Sequence, residues 1–449
     1  MQQNLNQPNQ NNNISTQPTV KNGKNKRKVL VALLLCAVIL VSFLGGFFTR
    51  FFTEQKSARI INEIMGYINN NSVMIDNIDA FDTAKSLVNG LMGEHDDYAT
   101  YYTPEEYDKL KKEDGGNYQG IGISINKTTN QVFKVLGNSP AYHAGITSGE
   151  VLIGGKKSLE DEYLVFSTPT IAGDISASDF LASCKLGDAV FLKVENQQQR
   201  EVQLVVSKYE VSYVQYFDNQ KKASFITQNG QMILSSQSCT DMSNLDSSVG
   251  YISLSAFEGQ ASYQLGQMLN YLKGQNKTKL IFDLRNNGGG QMSVLCSIAS
   301  YFISNGGNNS SPIVYAKGKN STTTFTTGNN YVDLDEICVL ANSNTASASE
   351  CLIGAMLYYG ASERKGNFGY QNLFITYNEN RQYYTTYGKG IMQTIYPLLE
   401  GGALRLTTAY IYWPDNSTCI HSKGIETIAQ NRVSDINAIS SANQYLINN

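Results

Sequence analysis

The residues that could do chemistry lie in two short stretches, Glu336 to Gly360 (EICVLANSNTASASECLIGAMLYYG) and Thr386 to Gln393 (TYGKGIMQ). Ile337 to Leu340 is an apolar run followed by Asn342, Ser343 and Asn344, a pattern that predicts a buried strand ending in a turn. Ala348, Cys351, Leu352, Ala355, Met356 and Tyr359 then recur at helical spacing, with Gly360 expected as the stop. Ser347 therefore falls where a strand turns into a helix. A hydroxyl is exposed there, and the free N–H groups of the helix start can bind an oxyanion.

A serine hydroxyl needs a base beside it. The three histidines, His95, His143 and His421, form no recognisable Ser/His/Asp arrangement. A lysine can serve if burial keeps it neutral, which requires its pKa to fall from about 10.4 by roughly 3 units. Lys389 is the candidate, set between Gly388 and Gly390, which allow close approach of backbone and substrate. Gln393, four residues on, can share its face and orient the amine.

These stretches, with LTTAYIYWP (Leu406 to Pro414), IHSKGIE (Ile420 to Glu426) and FDLRNNGGG (Phe282 to Gly290), resemble the C-terminal processing peptidases, or tail-specific proteases. The resemblance implies a serine endopeptidase with Ser347 as nucleophile, Lys389 as general base and Gln393 as its support. It implies an oxyanion hole from the N–H groups of Ala348 and Gly289. Asp283 and Arg285 read as structural residues of the glycine turn. Three features depart from the family pattern. Ser347 and Lys389 stand 42 positions apart, with an insertion expected to form a hairpin over the groove through Tyr370 to Thr385. Tyr358 stands where some members carry an aspartate, and Gly288 replaces a common proline.

The competing readings of these residues are bland. A serine at a helix start is usually an N-cap. The triple glycine lacks the GxxxxGK[ST] pattern of a phosphate loop. Ser362-Glu363-Arg364-Lys365 matches the S-x-x-K of penicillin-binding enzymes, but no K-T-G or S-D-N accompanies it.

The elements around the site read as a multidomain α/β protein. Residues 1–28 are Asn- and Gln-rich with a basic end, expected to be a disordered cytoplasmic tail. Residues 29–48 (VLVALLLCAVILVSFLGGFF) carry no charge and have the length of a transmembrane anchor. The basic flank places the rest outside the cytoplasm, giving a single-pass protein of the bacterial cell membrane with the lipid bilayer as a partner. A cleaved signal peptide competes, but no small-x-small site follows Phe48. Residues 49–114 read as a helical N-terminal region, resembling the segment that precedes the PDZ domain in the family.

Residues 115–210 are expected to form a β-rich PDZ domain. Gly120, Ile121, Gly122 and Ile123 in NYQGIGISI would leave N–H groups bare to hold a peptide carboxylate and pair with its strand. The competing reading is a small β-rich spacer. Residues 211–431 alternate strand and helix, which predicts the α/β peptidase core with its site at a strand's C-terminal end. Residues 432–449 read as a polar, weakly helical C-terminal tail.

A net charge of −3 gives no reason to expect nucleic acid. Seven scattered cysteines without a CxxC pair, and no HExxH, predict neither disulfide framework nor metal site, and no cofactor is expected. The expected partners are protein or peptide substrates with exposed C-termini; a homo-oligomer is left open. The rival from another class is a PDZ scaffold on an inactive protease core. A peptidoglycan acylhydrolase is a lesser rival, lacking any other cell-wall motif.

Overall fold

The computed structural model describes residues 40–42, 80–92, 95–114, 117–167, 175–229, 231–304, 310–363, 368–377, 384–399 and 401–448. The chain divides into two units, Met1–Thr83 and Ala84–Asn449. Of the first, only 40–42 and 80–83 are described, all helical. The expected tail at 1–28 lies outside the described residues, and so does the apolar span at 29–48 save for 40–42. Among the described residues no helix is long and apolar enough to cross a membrane.

The second unit is built on an eight-stranded sheet. Its order is Gln231–Ser238, Lys221–Gln228, Val214–Phe217, Val249–Leu254, Lys279–Asp283, Glu336–Asn342, Leu373–Tyr377, Arg432–Ser434. The last five strands run parallel. Their side chains alternate between two cores, as a period of two demands. Leu280, Phe282, Val339, Ala341, Leu373 and Ile375 face a large core shared with the helices Ala261–Gly274, Met292–Phe302 and Ala348–Glu363. Ile281, Cys338, Leu340 and Phe374 face a smaller one covered by the helix Ala438–Asn448. Burial on both faces is why these strands read as continuous apolar runs.

Three expectations change here. Leu373 to Tyr377 is no hairpin over the groove: it is a sheet strand, and Leu373, Phe374 and Ile375 are 0–3% exposed. An unbroken apolar triplet suits a strand buried on both sides. The tail at 432–449 is part of the core, because Arg432–Ser434 extends the sheet and Ala438, Ala442 and Leu446 seal its second face at i, i+4, i+8 spacing. The Ala348–Glu363 helix runs past Gly360. A Cβ at Gly360 would stand 2.1 Å from the Phe368 carbonyl oxygen, so this glycine serves a close approach and not a stop.

A second, antiparallel sheet carries the other half of the site. The ten-residue strand Ala403–Tyr412 pairs with Thr100–Tyr102, Pro312–Gly318 and Ile391–Pro397, and Thr322–Thr326 adds to Pro312–Gly318. The reading of 49–114 as helical is thereby corrected. Helices occupy Ala80–Met92 and Pro104–Asp114, but Thr100–Tyr102 between them is a strand against Arg405, Leu404 and Ala403. Residues 117–210 carry their own core around Val132, Leu152, Phe180, Leu192 and Leu204. A four-stranded sheet (Leu164–Val165, Val151–Lys156, Ala189–Glu195, Gln199–Val205), the hairpin-like pair Ile123–Ile125 with Val132–Val135, and the pairing of Asn117–Gly120 with Ser207–Glu210 enclose it with the helix Ala177–Ala182.

Candidate active site

The Glu336–Asn342 strand ends in a turn that is tied to its neighbour strand by hydrogen bonds. The Thr345 hydroxyl donates to the Leu284 carbonyl at 2.8 Å and accepts from the Asn342 N–H at 2.9 Å. The Ala346 N–H donates to the Asn287 carbonyl at 3.0 Å, and the Ser349 hydroxyl reaches the same oxygen at 3.0 Å. The chain then enters Ser347 at φ +57°, a left-handed conformation that costs a residue with a Cβ about 1–2 kcal/mol. The Ser347 N–H donates to Glu350 Oε2 at 2.8 Å, half of a capping box, which holds that conformation at the helix start.

Gly289 faces this turn. A Cβ on it would stand 2.7 Å from the Ala348 nitrogen and 2.8 Å from Ser347 Cβ, so only glycine, at φ +95°, fits. One expectation is corrected: the Gly289 N–H is not free but donates to Asn287 Oδ1 at 2.9 Å. Asn287 is fully buried and also donates through Nδ2 to the Leu254 carbonyl at 2.8 Å, so one side chain pegs the glycine loop to the sheet. Asp283 and Arg285 hold the base of the same loop: the guanidinium pairs with Asp283 at 2.6 Å, and Tyr251 donates to that carboxylate at 2.7 Å.

Glu350 joins the serine turn to the lysine loop. It is 0% exposed, and its two oxygens take four donors. Oε1 accepts from the Thr386 hydroxyl at 2.5 Å and the Gly388 N–H at 2.8 Å. Oε2 accepts from the N–H groups of Lys389 at 2.9 Å and Ser347 at 2.8 Å. Burial pushes its pKa up against these donors. The sequence reading gave Glu350 no role, although its S-x-x-E spacing after Ser347 is the signal that places it. The lysine loop is wedged from its far side by Ile420–Glu426. The Thr386 N–H donates to the Ile425 carbonyl at 3.0 Å, and Cβ atoms at Gly388 and Gly390 would meet the nitrogens of Gly424 and His421 at 2.8 and 2.6 Å.

Ser347, Lys389, Gln393 and Gly289 open onto one cavity of about 550 Å³, whose wall also includes Glu258 and Lys134. Between Ser347 and Lys389 no hydrogen bond is made; the Lys389 amine stands 4.6 Å from the ring centre of Tyr98. Loose contacts of this kind are ordinary in a site without substrate. Burial, and then the nearby Arg405 charge, lower the Lys389 pKa, the direction a base requires. Gln393 follows a bulge in the Ile391–Pro397 strand and donates through Nε2 to Thr407 Oγ1 at 3.2 Å. A larger cavity of about 750 Å³ lies away from this chemistry, by Met356 and Tyr359 at the other end of the helix that Ser347 begins.

Gly120 to Ile123 lie in the 117–210 region. Gly120 and Gly122 have φ of +142° and +82°, and Gly122 packs so closely on Ser139 that a Cβ would overlap its side chain at 2.1 Å. The carbonyls of Ile121 and Gly122 accept from Ala141 and Leu136 at 2.9 and 2.8 Å. Ile121 is buried in the small core, and the following strand, Ile123–Ile125, pairs with Val132–Val135. That partner strand supplies Lys134 to the catalytic cavity, and the Tyr118 hydroxyl donates to Glu258 at 3.1 Å.

An α/β core with a serine held at a left-handed helix start, on one cavity with a half-buried lysine, defines the class of a serine hydrolase. Residues 248–367 match peptidase family S41. The chain is 25% identical over 408 residues to the "Probable CtpA-like serine protease" of Staphylococcus aureus (strain MRSA252), covering 88% of this chain and 69% of that one. It is 28% identical over 330 residues to the "Carboxyl-terminal-processing protease" of Synechocystis sp., covering 72% and 64%. Among solved structures it is similar to a photosystem II D1 C-terminal processing protease, at 18% identity and a TM-score of 0.49, covering 84% and 88%. The chain is a serine-type peptidase, similar over residues 248–367 to peptidase family S41.

Proposed function

We propose that the chain is a serine endopeptidase anchored by the apolar segment 29–48 in a bacterial cell membrane, working outside the cytoplasm on proteins with exposed C-terminal tails. The observation that carries the catalytic part is the shared cavity of Ser347, Lys389 and Gln393, with Ser347 held left-handed at a helix start. Lys389, neutral, takes the hydroxyl proton as Ser347 Oγ bonds to the scissile carbonyl carbon. The resulting ammonium protonates the leaving amine as the C–N bond breaks. Water then attacks the ester, Lys389 takes its proton, and Ser347 is released. The Ala348 N–H faces the developing oxyanion, joined by Gly289 once its N–H turns from Asn287. Residues 115–210 act as a PDZ domain: Gly120 to Ile123 bind a tail, and Lys134, on the next strand, lies on the path to the cavity. The names of the two relatives point the same way.

The test is hydrolysis of an unstructured protein by the full chain beside its Ser347→Ala and Lys389→Ala variants. Cleavage by the first alone is expected. Residual cleavage by the serine variant would refute the assignment.

A further inference from the structure

The Lys389 amine meets a part of the chain that is far away in sequence. Residues Asp96 to Tyr102 run along the Ala403–Tyr412 strand, and three sets of contacts fix them there. Thr100, Tyr101 and Tyr102 pair with Arg405, Leu404 and Ala403. Arg405 Nε donates to the Tyr98 carbonyl at 3.1 Å, and its Nη2 to Thr100 Oγ1 at 2.9 Å. Asp96 takes the Thr407 N–H at 2.8 Å, the Thr407 hydroxyl at 2.9 Å and the Tyr98 N–H at 3.0 Å. The Tyr98 ring is thereby laid over the Lys389 amine at 4.6 Å. Its hydroxyl is hydrogen-bonded to Tyr387, and burial pushes its pKa up to about 12, so it carries no charge at neutral pH.

The same segment decides how Gln393 is turned. A hydroxyl has one proton, and Thr407 gives its own to Asp96. Thr407 Oγ1 is then only an acceptor, which requires the nitrogen end of the Gln393 amide, at 3.2 Å. The carbonyl end of Gln393 is left for the cavity, where it can accept from an amine and cannot donate to it.

We infer that Asp96 and Tyr98 are positioning residues of the catalytic base: Tyr98 walls the Lys389 amine from water and gives the ammonium a ring face, while Asp96, through Thr407, presents the Gln393 carbonyl. The inference rests on the reading of Lys389 as the base. The ring acts on the amine in two opposing ways. Excluding water favours the neutral form, whereas the ring face favours the cation. The Lys389 pKa is lowered with burial as its largest cause, so the exclusion of water prevails. Among the described residues, the other charged groups around the Lys389–Tyr98 pair are Arg405 on the paired strand, Glu350 beneath the Lys389 backbone, Asp97 beside Tyr98, and Lys134 and Glu258 lining the same cavity.

The experiment is the pH dependence of Ser347 labelling by a fluorophosphonate, measured on the full chain. In that reaction the serine oxygen bonds to phosphorus, fluoride leaves, and the serine proton passes to the lysine. The parent chain is compared with Tyr98→Ala, Tyr98→Phe, Asp96→Asn and Lys389→Ala. Tyr98→Ala is expected to move the acid midpoint upward by about one unit, a tenfold loss of rate at neutral pH; Tyr98→Phe keeps the ring and is expected to hold the midpoint. Asp96→Asn, whose amide no longer takes the Thr407 proton on both sides, is expected to slow labelling without moving the midpoint. An unmoved midpoint or faster labelling in Tyr98→Ala, or unchanged labelling in Asp96→Asn, would overturn the inference. Failure of the parent chain to label, or undiminished labelling of Lys389→Ala, would instead sink the reading of the base.

Discussion

Replacing Glu350 tests the hydrogen bonds that hold the two halves of the site together. In Glu350→Ala four donors lose their acceptor: the N–H groups of Ser347, Gly388 and Lys389, and the Thr386 hydroxyl. Each orphaned donor costs about 1–3 kcal/mol, so even at the lower figure the fold should lose about 4 kcal/mol, a large share of a domain's total. Glu350→Gln is gentler. An amide has one acceptor oxygen, and the cheaper orientation turns it to Ser347 and Lys389, because the Thr386 hydroxyl can accept from the amide nitrogen. The Gly388 N–H is then left facing a donor, and the Thr386 hydroxyl, accepting from both the amide and the Ile425 N–H, loses the acceptor of its own proton, a loss of about 2 kcal/mol at the lower figure. Urea unfolding followed by Trp413, the chain's single tryptophan, measures both values. Turnover should fall about 100-fold in Glu350→Ala, because the left-handed Ser347 and the Lys389 backbone lose their shared anchor. A parental urea midpoint for Glu350→Ala, or unchanged turnover, would refute the reasoning.

Three further outcomes follow from single residues. Ser347→Gly should abolish turnover yet raise stability by about 1 kcal/mol, since glycine adopts φ +57° without strain; a lowered urea midpoint would count against stored strain. Gly354→Ala puts a Cβ 2.2 Å from Trp413 Cε2, which should destabilise the helix packing by about 1–3 kcal/mol and shift the Trp413 emission, and an unchanged spectrum would contradict it. Lys389→Met should stabilise the fold at neutral pH. The folded pKa of Lys389 is depressed, so between it and about 10.4 the unfolded chain binds more protons and stability rises with pH. The advantage of Lys389→Met should therefore shrink as pH rises toward that value, and a pH-independent difference between the two chains would exclude this cause.

What the sequence made legible and what it hid divide by physical range. The turn at Ser347 was readable because its signals are local: an apolar run, three polar residues, then helical spacing, all between Ile337 and Tyr359. Leu373 to Ile375 misled for the converse reason. An apolar triplet between polar segments fits a hairpin as well as a strand buried on both faces, and only the gap between Glu336–Asn342 and Arg432–Ser434 decides. Ala438, Ala442 and Leu446 were diluted by polar neighbours, although the i, i+4, i+8 spacing was present. The Gly289 amide was expected to be free because a glycine turn exposes its N–H groups, whereas an asparagine two residues earlier can turn back to take one. Asp96 and Tyr98 lie about 250 positions before Ser347, in a stretch whose composition says only that a turn precedes a helix. No periodicity relates an aspartate there to a threonine at 407, so their joint hold on Gln393 and Lys389 becomes visible only when the Ala403–Tyr412 strand brings them together.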